Sequence, residues 1–93
     1  MQIKDIKLRP RNQWHSIQVR VLVEEMTPTR EARLLWLVIP ATAIRSQVIR
    51  ERTVHRVRSA WSPAFGRLAS AGELQEIFDA VEAFLINKIE EVE

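Results

Sequence analysis

The spacing of apolar residues predicts two strands in the first quarter of the chain. In residues 15–25, apolar and polar positions alternate, as in a strand with one buried face. The inward set is Ile17, Val19, Val21 and Val23. In residues 2–9, Ile6 and Leu8 would face inward among lysines and an arginine, and Pro10 follows. Because charged residues and proline protect sheet edges from unwanted pairing, we expect this first strand at an edge.

A third strand is predicted over residues 33–39, where the apolar run Leu-Leu-Trp-Leu-Val-Ile does not alternate. A continuous run indicates a strand covered on both faces, and hence a central one, with Trp36 in the core. The turn residues of 27–30 favour an antiparallel hairpin with the preceding strand. Either the segment after Pro40 or a second copy of the chain would cover the second face. We therefore expect a homodimer, with interface residues Leu35, Leu37 and Ile39.

The last quarter of the chain, residues 70–93, has the pattern of one long amphipathic helix. Ser70 and Glu73 have the spacing of a capping box, in which each side chain accepts from the other residue's amide. Eight apolar residues recur at steps of three and four and cover about 140° of the helical wheel. They are Leu74, Ile77, Phe78, Val81, Phe84, Leu85, Ile89 and Val92. We expect this helix to pack on one face of the sheet.

Residues 41–60 leave two interpretations open. The apolar positions do not share one helical face, since Ile44 and Val48 point away from Val57 and Trp61, so one straight helix fits poorly. A helix over 42–52 followed by a short strand over 53–60 fits about as well. The sequence therefore predicts a single α+β domain with an antiparallel sheet of three to four strands. The long C-terminal helix would lie on one face, with the option of a second short helix within 41–60.

Composition and charge narrow the classes of function. The absence of cysteine excludes disulfides, thiolate zinc sites and cysteine nucleophiles. No apolar run approaches the ~18 residues of a membrane span, so we expect a soluble cytoplasmic protein. We also expect no cofactor and no bound metal. The net charge of +2 conceals a separation: residues 1–67 carry 13 Lys and Arg against 5 acids, whereas 68–93 carry one lysine against seven acids. Such a separation favours either polyanion binding or the pairing of opposite faces.

The strongest candidate site is a run of arginines in the middle of the chain, for which we expect nucleic-acid contacts from Arg45, Arg52, Arg56 and Arg58. On a helix, Arg45, Arg52 and Arg56 would lie within about 40° of one another and could follow a line of phosphates. On a strand, Arg56 and Arg58 would share a face. The guanidinium group suits phosphate because it donates bidentately and stays charged. Alternatively, these arginines form ion pairs with Glu73, Glu76 or Glu82 of the C-terminal helix.

A second basic patch surrounds an aromatic residue near the start of the chain. Its predicted nucleic-acid-binding residues are Lys4, Lys7, Arg9 and Arg11, with Arg20 and Trp14 beside them. Cations interleaved with an aromatic ring are typical of single-strand binding, because bases stack on the ring while cations follow the backbone. Alternatively, Trp14 closes one end of the core.

Signals of catalysis are weak. His15 and His55 have no partner at metal-ligand or triad spacing, and two isolated glycines cannot form a phosphate-binding loop. We expect a non-catalytic nucleic-acid-binding protein. One alternative is a protein-interaction or assembly subunit that pairs through its acidic C-terminal helix. Another is a small metal-free nuclease that uses His55 between Arg52 and Arg56.

Overall fold

A computed structural model shows a three-stranded antiparallel sheet with two helices on one of its faces. It describes residues 1–9 and 17–92, with the backbone alone for 89–92. The elements are β1 (Gln2–Leu8), β2 (Gln18–Met26), β3 (Ala32–Pro40), a 3₁₀ helix (Ala41–Ile44), α1 (Gln47–Phe65) and α2 (Ala71–Val92). The predicted α+β class and long C-terminal helix are confirmed. None of the described helices has the length and apolar content needed to span a membrane.

β1 lies at one edge of the sheet, as its charges predict, and pairs with β2. The register shifts between Ile3 and Asp5, where one extra residue forms a β-bulge. Strict alternation would place Ile3 and Ile6 on opposite faces. Because of the bulge, Ile3 pairs with Val23 and Ile6 with Val21, so both face the buried side of β2.

β3 forms the other edge of the sheet, so the predicted central position is wrong. Leu37 and Ile39 face the helices and are buried, whereas Leu34 and Val38 on the opposite side are 58% and 37% exposed. The continuous apolar run suggested burial of both faces, but the described elements cover the helix-facing side alone. The predicted interface residues Leu35, Leu37 and Ile39 therefore belong to the core or its margin, and Trp36 lies outside the core.

α1 is a single helix of 19 residues, so of the two interpretations left open for 41–60 the one with a strand over 53–60 is wrong. Its buried stripe repeats every four residues: Thr53, Val57, Trp61 and Phe65. Thr53 conceals this stripe in the sequence because it is polar, but its hydroxyl donates to the Ile49 carbonyl at 2.8 Å and so can be buried. Ser46 accepts from the Ile49 amide at the start of α1. Gly66 ends it at φ 72°, a left-handed conformation that glycine adopts readily.

α2 begins with the predicted capping box. The Ser70 amide donates to the Glu73 carboxylate at 3.0 Å, and the Glu73 amide donates to the Ser70 hydroxyl at 3.1 Å. The first three turns bury Leu74, Ile77, Phe78 and Val81 in the core they share with the inner face of the sheet. α1 contacts β3, and α2 contacts β1 and β2. No described helix packs on the opposite face of the sheet, which we call the outer face.

Candidate nucleic-acid interface

The outer face combines apolar residues with cations. Opposite residues of an antiparallel pair point to the same side of a sheet, so the register joins Lys7, Arg20 and Val38 in one row and Asp5, Leu22 and Trp36 in the next. Leu34 lies one row further along, opposite Glu24. The exposed apolar residues of β3 therefore lie beside basic residues of β1 and β2.

Trp36 lies midway along the edge strand β3 on this face, and the residue is 37% exposed. The Arg20 guanidinium carbon lies 4.7 Å from the ring centroid, and the Lys7 Nζ lies 5.5 Å from it. A cation at this distance is attracted by the negative face of the indole. The two contacts hold cations around an accessible aromatic ring.

Two of the predicted arginines of α1 lie on neighbouring turns of that helix, and Arg56 lies next to β3. Arg52 and Arg56 are exposed and one turn apart, about 40° from each other on the helical wheel. Arg56 lines a shallow groove of about 250 Å³ that also reaches the outer face. We call this the β3 groove, and its lining includes Arg9, Gln18, Trp36, Val38, Pro40 and Arg56. It brings together Arg9 and Arg56, which belong to the two separate basic patches predicted from the sequence.

The other two predicted arginines lie elsewhere. Arg58 is on α1 about 160° around the wheel from Arg56, and therefore on a different side of the helix. Arg45 precedes α1 and lines a separate cavity of about 710 Å³ with Leu85, Glu82 and other residues. The predicted line of Arg45, Arg52 and Arg56 on one helix is wrong, because α1 begins at Gln47.

The four arginines predicted from the middle of the chain have no carboxylate partner among the described residues. None of Arg45, Arg52, Arg56 and Arg58 forms an ion pair with a described acid. Arg9 donates to the Gln18 amide oxygen at 3.0 Å. Lys4 pairs with Glu24 at 3.7 Å, and Lys7 with Asp5 at 3.4 Å. Arg11, Trp14 and His15 lie outside the described residues.

Arg67 shows what a structural arginine looks like in the same molecule. It donates to both carboxylate oxygens of Glu73, at 2.7 and 2.6 Å, and to both oxygens of Glu25. Hydrogen bonds from Arg67 lower the pKa of Glu73 to about 2, and those two carboxylates raise the pKa of Arg67. The Arg67–Glu25–Glu73 cluster ties β2, the loop before α2 and α2 together. It leaves Arg67 unsuited to a ligand anion.

The described residues offer little for catalysis. His55 is exposed on α1, and no described group of three or more His, Asp or Glu side chains is placed to hold a metal ion. What the outer face and the β3 groove offer chemically is a set of guanidinium donors beside an accessible ring. Sequence reasoning missed Trp36 as part of the site, although its neighbours Leu34 and Val38 at two-residue spacing are a signal of a shared face.

Comparisons of the chain with models of known families, with curated proteins and with solved structures find no match.

Proposed function

We propose that this chain is a non-catalytic nucleic-acid-binding protein, and that its phosphate contacts come from Arg9, Arg20, Arg52 and Arg56. Arg20 lies on β2, Arg9 directly follows β1, and Arg52 and Arg56 lie one turn apart on α1. Guanidinium groups bind phosphate by paired, charge-assisted hydrogen bonds. Lys4 and Lys7 take a secondary part, because each already has an acidic neighbour on the outer face.

The observation that carries this proposal is that arginines with no described carboxylate partner are grouped beside β3: Arg9 and Arg56 line one groove, and Arg20 lies over Trp36. Arg67 demonstrates that the fold can pair an arginine with two acids. The acids of α2 were the obvious partners for the α1 arginines, yet none of the described ion pairs joins them. Four cations left available on neighbouring surfaces produce a local field that attracts a polyanion.

The test is fluorescence anisotropy with a labelled single-stranded oligonucleotide of mixed sequence, about 16 nucleotides long so that it covers typical site sizes. Four phosphate contacts predict a slope of about −2.8 for log affinity against log salt, so binding should weaken roughly 50-fold between 50 and 200 mM salt. Arg52→Gln with Arg56→Gln should halve that slope. Binding that is absent, or that does not respond to salt, refutes the proposal.

The matched control removes the same charge from other parts of the surface. Arg30 lies in the β2–β3 turn and Arg58 on another side of α1, and both are exposed. The double variant Arg30→Gln with Arg58→Gln should keep a slope close to that of the original chain. If both double variants lose binding equally, net charge and not the arrangement around β3 is responsible.

A second candidate function is self-assembly through β3, and the open edge of that strand favours it. β1, the other edge, carries a bulge and lysines that oppose pairing, whereas β3 presents nine residues with an apolar outer side. Leu34 and Val38 are equally distant from Trp36 in sequence. Antiparallel pairing of two copies about Trp36 would therefore place Leu34 of one copy opposite Val38 of the other.

Light scattering over a range of protein concentrations tests this second candidate. Self-assembly predicts twice the mass of one chain at high concentration. Val38→Lys should return the protein to a monomer, because the lysine would lie opposite the apolar Leu34 of the second copy. Thr29→Lys, in the exposed turn, is the charge-matched control. A monomer at every concentration rules out the homodimer.

A further inference from the structure

We infer that the outer face binds single-stranded nucleic acid, with one base stacked at Trp36. This inference rests on the proposed nucleic-acid binding and names the form of the ligand at the same site. It comes from the character of the ring, since Trp36 is accessible on a sheet face that no described element covers. An unpaired base has a flat face available for an aromatic ring, whereas a base within a duplex is stacked between its neighbours.

The surroundings of Trp36 match the two parts of a nucleotide. Arg20 and Lys7 lie over the indole ring of Trp36, so their charges are next to any base that stacks on the guanidinium plane or on the part of the ring that they leave exposed. A base can stack on the indole or on the plane of the Arg20 guanidinium group. The exposed Leu34 and Val38 flank the ring along β3 and add apolar contact area. Phosphate contacts and base contacts are therefore available within a few residues of one another.

The β3 groove provides a path for the sugar–phosphate backbone of the bound nucleic acid. Its lining joins Trp36 and Val38 on the outer face to Arg56 on α1 and to Arg9. A nucleic-acid strand that follows this groove would meet both arginines and the aromatic ring. Its volume of about 250 Å³ makes it a small groove on one side of β3. Duplex recognition by contrast uses an element that enters a groove about 12 Å wide.

The experiment compares one labelled sequence as a single strand and as a duplex, bound to the original chain, Trp36→Ala and Trp36→Phe. We expect tighter binding of the single strand. Trp36→Ala should weaken it by at least about 5-fold, the effect of losing one stacked base, and Trp36→Phe should retain most of the affinity because phenylalanine also stacks. Duplex binding should be the same for all three proteins. Circular dichroism establishes that the variants fold.

A second measurement follows the emission of Trp36 itself, in a Trp14→Phe background where Trp61 is the other tryptophan. Trp61 is fully buried, so quenching by the oligonucleotide reports on Trp36. Quenching by the single strand supports the inference. Equal affinity for the two forms, with no effect of Trp36→Ala, overturns it and leaves the proposed function standing. Binding of neither form overturns both. An emission change that depends on protein concentration alone identifies this face as a contact between copies and also overturns the inference.

Discussion

The two sides of the sheet use similar residues for opposite purposes. On the helix side, Val21, Leu37 and Ile39 are packed beneath α1 and α2, and the cluster around Arg67 pairs its charges. On the outer face, Leu34 and Trp36 are exposed beside cations of β1 and β2. Residue type alone does not separate these roles, since leucine and arginine occur on both sides. What separates them is whether another element of the fold covers the side chain.

The comparison is most direct within β3, where Leu34 and Leu37 are the same residue on opposite sides. Leu37→Ala should lower the free energy of unfolding by about 2–5 kcal/mol, because it removes buried methyl groups and leaves a cavity. Leu34→Ala should cost less than about 0.5 kcal/mol, since an exposed side chain loses little contact. Urea denaturation of both variants measures the difference.

The control for backbone effects is already part of this pair, because both variants place alanine in the same strand. If the two substitutions cost the same, the outer side of β3 is covered in solution, and a second copy is the candidate. The result therefore bears on the self-assembly of the chain as well as on its stability.

Much of the fold could be predicted from local patterns. The alternation in β2, the turn before β3 and the capping box at Ser70 each depend on neighbouring residues and are found as predicted. The full length of α1 was not predicted because Ile44 and Val48 were counted with its apolar positions, whereas Ile44 precedes α1 and Val48 is exposed. Ser46 and Gly66 bracket that helix with a cap at each end, and with the four-residue repeat they could have identified it.

The edge position of β3 could not be predicted from the sequence, for a different reason. A run of apolar residues predicts that both faces of a strand avoid water, but it does not say whether the second face is covered by the same chain. Trp36 and its neighbours Leu34 and Val38 are exposed instead of buried, because both helices pack on the other face of the sheet. An exposed apolar face of this kind is typical of a binding surface.

The site was only partly predictable because it joins residues far apart in sequence. The sequence indicates two basic patches, but only the packing of α1 against β3 brings Arg56 and Arg9 to one groove. It also cannot distinguish Arg67 from Arg56, although the structure gives the first two acidic partners and the second no described one. The difference depends on Glu25 and Glu73, which are distant from each other along the chain.

The Arg67–Glu25–Glu73 cluster is the subject of the prediction with the smallest expected change in stability. It tests the contrast between arginines that are paired with acids and arginines that are not. The pKa of Glu73 is lowered to about 2 by its hydrogen bonds to Arg67. The ionised carboxylate therefore favours the folded state above its ordinary pKa near 4.5, and this contribution disappears as the pH falls towards 2. Glu73→Gln keeps an acceptor for the capping box but removes the charge, and should cost about 1 kcal/mol at pH 7.

The pH dependence of that cost separates the charge from the shape of the side chain. At pH 2, half of the Glu73 carboxylates in the folded chain are protonated, so most of the difference between Glu73→Gln and the original chain should have gone. Glu76→Gln is the control, because Glu76 is exposed on the same helix and forms no described ion pair. Its variant should match the original chain at both pH values. A Glu73→Gln cost that is equal at pH 7 and pH 2 would mean that packing, and not the ion pair with Arg67, stabilises this corner, and the contrast with the arginines around β3 would fail.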